Sequence, residues 1–276
     1  MGLNADLVGK EYESGTFEVT AEGIEKYARA TNDLNERYLG GDDVVASPIF
    51  PIVPAFEYLG KAALDSELNA DVMRLVHGEE EHVLLKPMKP GDTLTLKGIL
   101  ESVEQKETGE TFTVKVDITN QNAEPVAEIR ATSFIRGSGG GGSKSPSAET
   151  GQRDIAYEES TKVDDDQTHR YADASGDHNP IHLDENTAKM VGLPGIINHG
   201  MCTMAIATKG AVDGLAGGDP TRIKKVSVRF SKPVLPGQEL TTKFWKLDDS
   251  GNYGFETYNP DGQAVIKNGR VEISQN

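Results

Sequence analysis

Cysteine is almost missing from this 276-residue chain: Cys202 is the single one, so no disulfide can form within it and packing alone must hold the fold. Aromatic residues are few at 6%, and no apolar run approaches the roughly 20 residues of a membrane-spanning helix. Basic residues are outnumbered, 28 against 44 acidic ones, and the resulting charge of −16 disfavours nucleic acid and anionic membranes as partners. The opening MGLNADLVGK has neither the basic nor the apolar region of a secretory signal, which makes the cytoplasm the expected compartment. What is present, 36% hydrophobic residues in a length suited to about two domains, is the composition of a folded globular protein.

Residues 137–152, beginning GSGGGGSKSPSAETG, have almost nothing to bury and read as a flexible Gly/Ser tether between two domains, 1–136 and 153–276. GGGGS has the look of a designed linker, and a natural Gly/Ser insertion reads the same. The flanking halves repeat each other. Lys86-Pro87-Met88-Lys89-Pro90-Gly91-Asp92 matches Lys232-Pro233-Val234-Leu235-Pro236-Gly237-Gln238 at a spacing of 146, and Asp33 and Asn35 precede Asp177 and Asn179 by 144. Two matched islands in the same order argue for duplication rather than for chance recurrence of Pro-Gly turns.

Periodicity gives each half helices first and an antiparallel meander after. Helices are expected at 21–31 and 55–68 in the first half, the latter burying Phe56, Leu59, Ala63 and Leu64, and strands at 82–85, 93–103, 111–119 and 126–134. The second half should carry helices at 164–174 and 200–215 and strands at 226–230, 239–247, 253–258 and 264–273. A long apolar helix buries itself by lying across the concave face of its meander, an α+β arrangement. Cys202, Met201 and Met204 sit in the apolar stretch of the second such helix and read as core.

Chemistry concentrates between His169 and His199, which hold four of the six histidines. In Gly176-Asp177-His178-Asn179-Pro180-Ile181-His182 the Asn-Pro step forces a bend, so a carboxyl and an imidazole five residues apart can converge on one point and share proton transfer near neutral pH. Asp177 alone could equally cap local backbone, and His199 could equally satisfy its loop. Pro180 breaks the regular helix that would align His178 and His182 as metal ligands, so no metal is expected.

The pattern G-D-x-N-P-x-H followed by Asp184 resembles the signature of the MaoC-like, or hydratase 2, (R)-specific enoyl-CoA hydratases. The likeness continues through Gly192-Leu193-Pro194-Gly195-Ile196-Ile197-Asn198-His199-Gly200-Met201, Val228-Arg229-Phe230 and Pro236-Gly237, covering nearly all of 153–276. It implies two tandem hot-dog domains, each a long central helix wrapped by a curved antiparallel sheet. It also implies Asp177 and His182 as the catalytic dyad, Asn179 as support for the loop, and the Gly200 backbone N–H as donor to the thioester carbonyl. A helix N-terminus suits that last role, because it offers unpaired donors where negative charge develops.

The activity implied is reversible syn hydration of a trans-2-enoyl thioester to an (R)-3-hydroxyacyl thioester. No cofactor is required beyond the coenzyme A of the substrate. In the first half Tyr38 stands for His182, Glu36 for Pro180 and approximately Pro54, without an N–H, for Gly200, so this half is expected to be a degenerate, non-catalytic unit. Lys224, Lys225 and Arg229 on one strand are candidates for the substrate phosphates, an ordinary solvated strand face being the alternative. Rival readings are a dehydratase acting on acyl-carrier-protein thioesters, a thioesterase, and a non-catalytic acyl-thioester-binding subunit. A homodimer of chains is compatible with all of them.

Overall fold

The computed structural model describes residues 2–137 and 153–275; the tether, Gly137 excepted, lies outside the described residues. The first half contains β1 (Glu11–Glu18), α1 (Ala21–Ala30), α2 (Glu36–Leu39), α3 (Ile52–Ala63), β2 (Leu75–Leu84), β3 (Thr93–Lys106), β4 (Gly109–Thr119) and β5 (Pro125–Arg136). The second contains β6 (Ile155–Lys162), α4 (Gln167–Ser175), α5 (Glu185–Met190), α6 (Gly200–Gly214), β7 (Ile223–Phe230), β8 (Glu239–Lys246), β9 (Asn252–Tyr258) and β10 (Ala264–Ile273). Among the described residues no helix is long and apolar enough to cross a membrane.

All ten strands form one sheet in the order β1-β3-β4-β5-β2-β7-β10-β9-β8-β6. Read outward from the centre, the two halves have the same order strand for strand, which is what duplication requires. They join where β2 pairs antiparallel with β7, Glu79 opposite Arg229 through Val83 opposite Lys225. Alternation produces the inner face: in β4, Phe112, Val114, Val116 and Ile118 are buried while the residues between them are half-exposed. In α6, Met201 through Thr208 and Gly210 through Val212 are buried, leaving almost no solvated stripe, as a helix enclosed by its sheet and its partner unit demands. Each fully buried Phe or Ile of this core, such as Phe244 or Ile49, contributes about 1.5–3 kcal/mol.

Helix α3 departs from the expected span and face. It begins at Ile52 because Pro54 fits the first turn, where its missing N–H is no loss, and its buried residues are Ile52, Pro54, Ala55, Tyr58 and Ala62. Leu64, expected inside, lies past the helix end and is 76% exposed. The halves also touch through α1 and α4: Gln167 Nε2 donates to the Ala30 carbonyl at 2.5 Å and Arg170 donates to the Arg29 carbonyl at 2.8 Å.

Candidate active site

Helix α4 ends on Gly176, whose φ of +80° a side chain would resist, and its N–H closes the helix on the Ala172 carbonyl at 2.9 Å. The chain then turns on side-chain to backbone bonds. Asp177 Oδ1 accepts from Asn179 N at 3.1 Å, and Asn179 Oδ1 accepts from Ile181 N at 3.3 Å. Pro180 opens a single tight turn, Pro180–His182, that carries His182 inward. Asn179 therefore shapes the loop, and Asp184 caps α5 by accepting from Thr187 N at 2.7 Å.

Asp177, His182 and His199 each bring one carboxylate oxygen or ring nitrogen to within 4.8 Å of the others. His182 Nδ1 donates to the Ile197 carbonyl at 2.8 Å, which fixes the proton on Nδ1 and leaves Nε2 bare. Burial lowers the pKa of His182, against the pull of the Asp177 carboxylate, so the neutral, basic form is favoured. His199 Nε2 donates to the Asp177 carbonyl at 3.0 Å, and its ring stacks on that of His182 with centroids 3.8 Å apart. Burial, with help from the neighbouring His182, pushes His199 down to about 3, so this ring stays uncharged beside His182. Both rings have one nitrogen bound to a carbonyl and lie 28° from parallel, which leaves His182 Nε2 and His199 Nδ1 as their free nitrogens.

His199 is also the residue before α6 and makes no side-chain cap. The Gly200 N–H has no hydrogen-bond partner among the described residues, which leaves a donor at the positive end of a 15-residue helix. The first half differs here. Its helix opens at Ile52, and that end is closed by Ile52 N–H on the Ile49 carbonyl at 3.2 Å and Val53 N–H on the Phe50 carbonyl at 2.9 Å. Asp33 is buried and raised by that burial to about 7, with Tyr38 in the place of His182.

Of the remaining expected residues, Lys225 and Arg229 alternate with the buried Val226 and Val228 and so project from the opposite face of the sheet. There Lys225 pairs with Glu81 at 2.9 Å and Arg229 approaches Glu79 at 3.9 Å. Lys224, exposed, donates to the Thr221 carbonyl at 2.8 Å and has no acidic partner among the described residues. Cys202 is fully buried and raised by burial to about 12, as a core thiol should be. Sequence reasoning missed the three-residue cluster His77, Glu80 and His82 on β2, although two histidines flanking three glutamates in a strand were a visible signal.

The fold and this constellation have relatives. Residues 147–260 match the family model described as MaoC like domain, and residues 6–129 match the FAS1-like dehydratase domain region. The second half of the chain is a MaoC-like dehydratase domain. It is 29% identical over 244 residues to the probable enoyl-CoA hydratase 2 of Dictyostelium discoideum, covering 84% of this chain and 82% of that protein. It is 29% identical to the 3-hydroxyacyl-thioester dehydratase Y of Mycobacterium tuberculosis over 99% of both chains. The MaoC-like dehydratase of Phytophthora capsici superposes with a TM-score of 0.86 over 99% of both chains at 26% identity. The chain spans 35% and 46% of the length of two relatives named peroxisomal multifunctional enzyme type 2, and 29% of a peroxisomal hydratase-dehydrogenase-epimerase. Its ten-stranded sheet, with one long helix in each half, is the double hot-dog fold.

Proposed function

We propose that the protein is a hydro-lyase that reversibly adds water across the double bond of a trans-2-enoyl-CoA, giving the (R)-3-hydroxyacyl-CoA. The observation that carries this reading is the bare Nε2 of His182 beside the Asp177 carboxylate, next to a helix start whose Gly200 N–H is unused. A water held between Asp177 and His182 loses a proton to Nε2 as its oxygen bonds to C3. The dyad returns a proton to C2 on the same face, so atoms and charge balance with no net redox change and no cofactor is called for. As oxygen adds, charge develops on the thioester oxygen, where the Gly200 N–H and the helix dipole stabilise it. A donor of this kind is worth about 10²–10³-fold in rate.

The Asp177 and His182 roles, and the assignment of 1–136 as a non-catalytic unit and 153–276 as the catalytic one, are part of the proposal. Support comes from Tyr38, which cannot replace the imidazole as a base near neutral pH, and from the closed start of α3. Coenzyme A is favoured over an acidic carrier protein because such a carrier needs clustered cations, and here Lys225 and Arg229 face β2 carboxylates. The test is loss of enoyl-thioester absorbance with crotonyl-CoA and a longer trans-2-enoyl-CoA, with chiral analysis of the product. The (R)-alcohol is expected. No loss on CoA substrates with turnover of an enoyl-carrier protein would overturn the carrier assignment, and an (S) product would overturn the mechanism.

A further inference from the structure

The half without the dyad reaches the site with its own side chains. Strand β2 carries His77-Gly78-Glu79-Glu80-Glu81-His82, and in an unbroken strand His77 and Glu80 would point to opposite faces. The register shift between His77 and Glu79 inserts Gly78 as an extra residue and returns both to one face. Glu80, 1% exposed, accepts from His77 Nε2 through Oε2 and from His82 Nε2 through Oε1, each at 2.8 Å. Burial works to raise the Glu80 carboxyl, but these two bonds outweigh it and hold the group below the usual carboxylate range, so it is ionised.

Thus anchored, the His77 ring meets the ring of Phe230 on β7 edge-on, with centroids 5.0 Å apart. Phe230 in turn covers the start of α6: a Cβ placed on Gly200 would lie 3.3 Å from its Cε1 atom. A continuous line of contact therefore runs from Glu80 through His77 and Phe230 to Gly200, crossing the β2–β7 junction on the way.

We propose that His77, anchored by Glu80, is a positioning residue for the Gly200 N–H, so that the unit lacking the dyad sets the donor geometry of the unit that has it. The catalytic part of this inference rests on the reading of Gly200 as the thioester donor. Edge-on contact with a tethered imidazole leaves the Phe230 ring one orientation, and that ring is the wall against which the first turn of α6 is packed. Freeing it lets the donor drift from the developing oxyanion, a fault that lowers kcat and leaves ground-state binding alone.

The test uses the full-length chain with His77→Gln, Phe230→Leu and the double variant. Gln can still donate to Glu80, so the buried carboxylate stays paired while the ring is lost. Carbonyl-labelled histidine with ¹⁵N-glycine gives signals only at His-Gly steps, of which the chain has two, His77-Gly78 and His199-Gly200. His77→Gln removes the first, so the remaining signal is the Gly200 amide. That resonance should move from its wild-type position in His77→Gln and in Phe230→Leu. With crotonyl-CoA, kcat should fall about tenfold in His77→Gln, KM should stay within about twofold, and the double variant should be no slower than the slower single one.

An unmoved Gly200 amide, or kcat losses that multiply in the double variant, would overturn the proposal. A moved amide in a protein whose wild type hydrates nothing would instead defeat the thioester reading while leaving the coupling from His77 to Gly200 in place.

Discussion

Acidification should weaken this fold through His199. Its ring is 1% exposed, and burial, joined by the neighbouring His182, holds it at about 3 against the ordinary histidine value of 6.5. Between those two values the unfolded chain binds a proton that the folded chain refuses, so stability falls as pH falls, by about 1.4 kcal/mol per pH unit for one such site. Over the window from 6.5 down to 5 this amounts to about 2 kcal/mol, a large share of the roughly 5–15 kcal/mol of a typical domain. His182, also lowered by burial, acts in the same direction.

Asp33 acts against both. Its folded-state value is raised to about 7, so in the same window the folded chain takes up the proton first and gains stability as pH falls. Comparison with His199→Gln removes this opposing contribution, because Asp33 is present in both proteins. Gln cannot titrate, yet its amide can keep the bond to the Asp177 carbonyl. Urea unfolding followed through Trp245 fluorescence, in steps between about pH 7 and pH 5, should show the wild type losing about 2 kcal/mol more than the variant. Parallel stability curves would refute the assignment of His199 as a buried neutral imidazole.

Asp33→Asn should stabilise the protein by on the order of 2 kcal/mol near pH 8, where the buried carboxyl is charged, and the gain should vanish toward about pH 4; the same unfolding assay measures it. Lys224→Glu should raise KM severalfold for an enoyl-CoA and leave it unchanged for the corresponding enoyl-pantetheine thioester, which lacks the nucleotide phosphates; steady-state kinetics on the pair of substrates decides it.

Most of the architecture was legible because hydrophobic periodicity follows burial. β10 appears with the expected bounds, and α6, β8 and β9 within one residue. What went unread lies where burial is one-sided or absent. The edge strands β1 and β6, EYESGTFE and IAYEESTK, have a neighbour on one side only and need little apolar surface to form. β2 was anticipated only from His82 onward because its earlier residues are charged, and the charges are there to pair across the junction and to anchor His77. Asp177, His182 and Gly200 could be nominated from their motif and spacing. The carbonyl bonds that set the tautomers of His182 and His199 come from loop closures over 15 and 22 residues, and the contact of His77 with Phe230 depends on a bulge and on a pairing between strands far apart in sequence, such as Glu80 opposite Val228. Spacing along the chain carries no trace of either.

The most direct test of the account is kcat/KM for hydration of crotonyl-CoA by the wild type, Asp177→Asn and His182→Ala, each first verified as folded by circular dichroism. One dyad in the second half predicts that the wild type is active and that each substitution lowers the rate by about 10²–10⁴-fold. Hydration at the wild-type rate by either variant would contradict the assignment of the dyad.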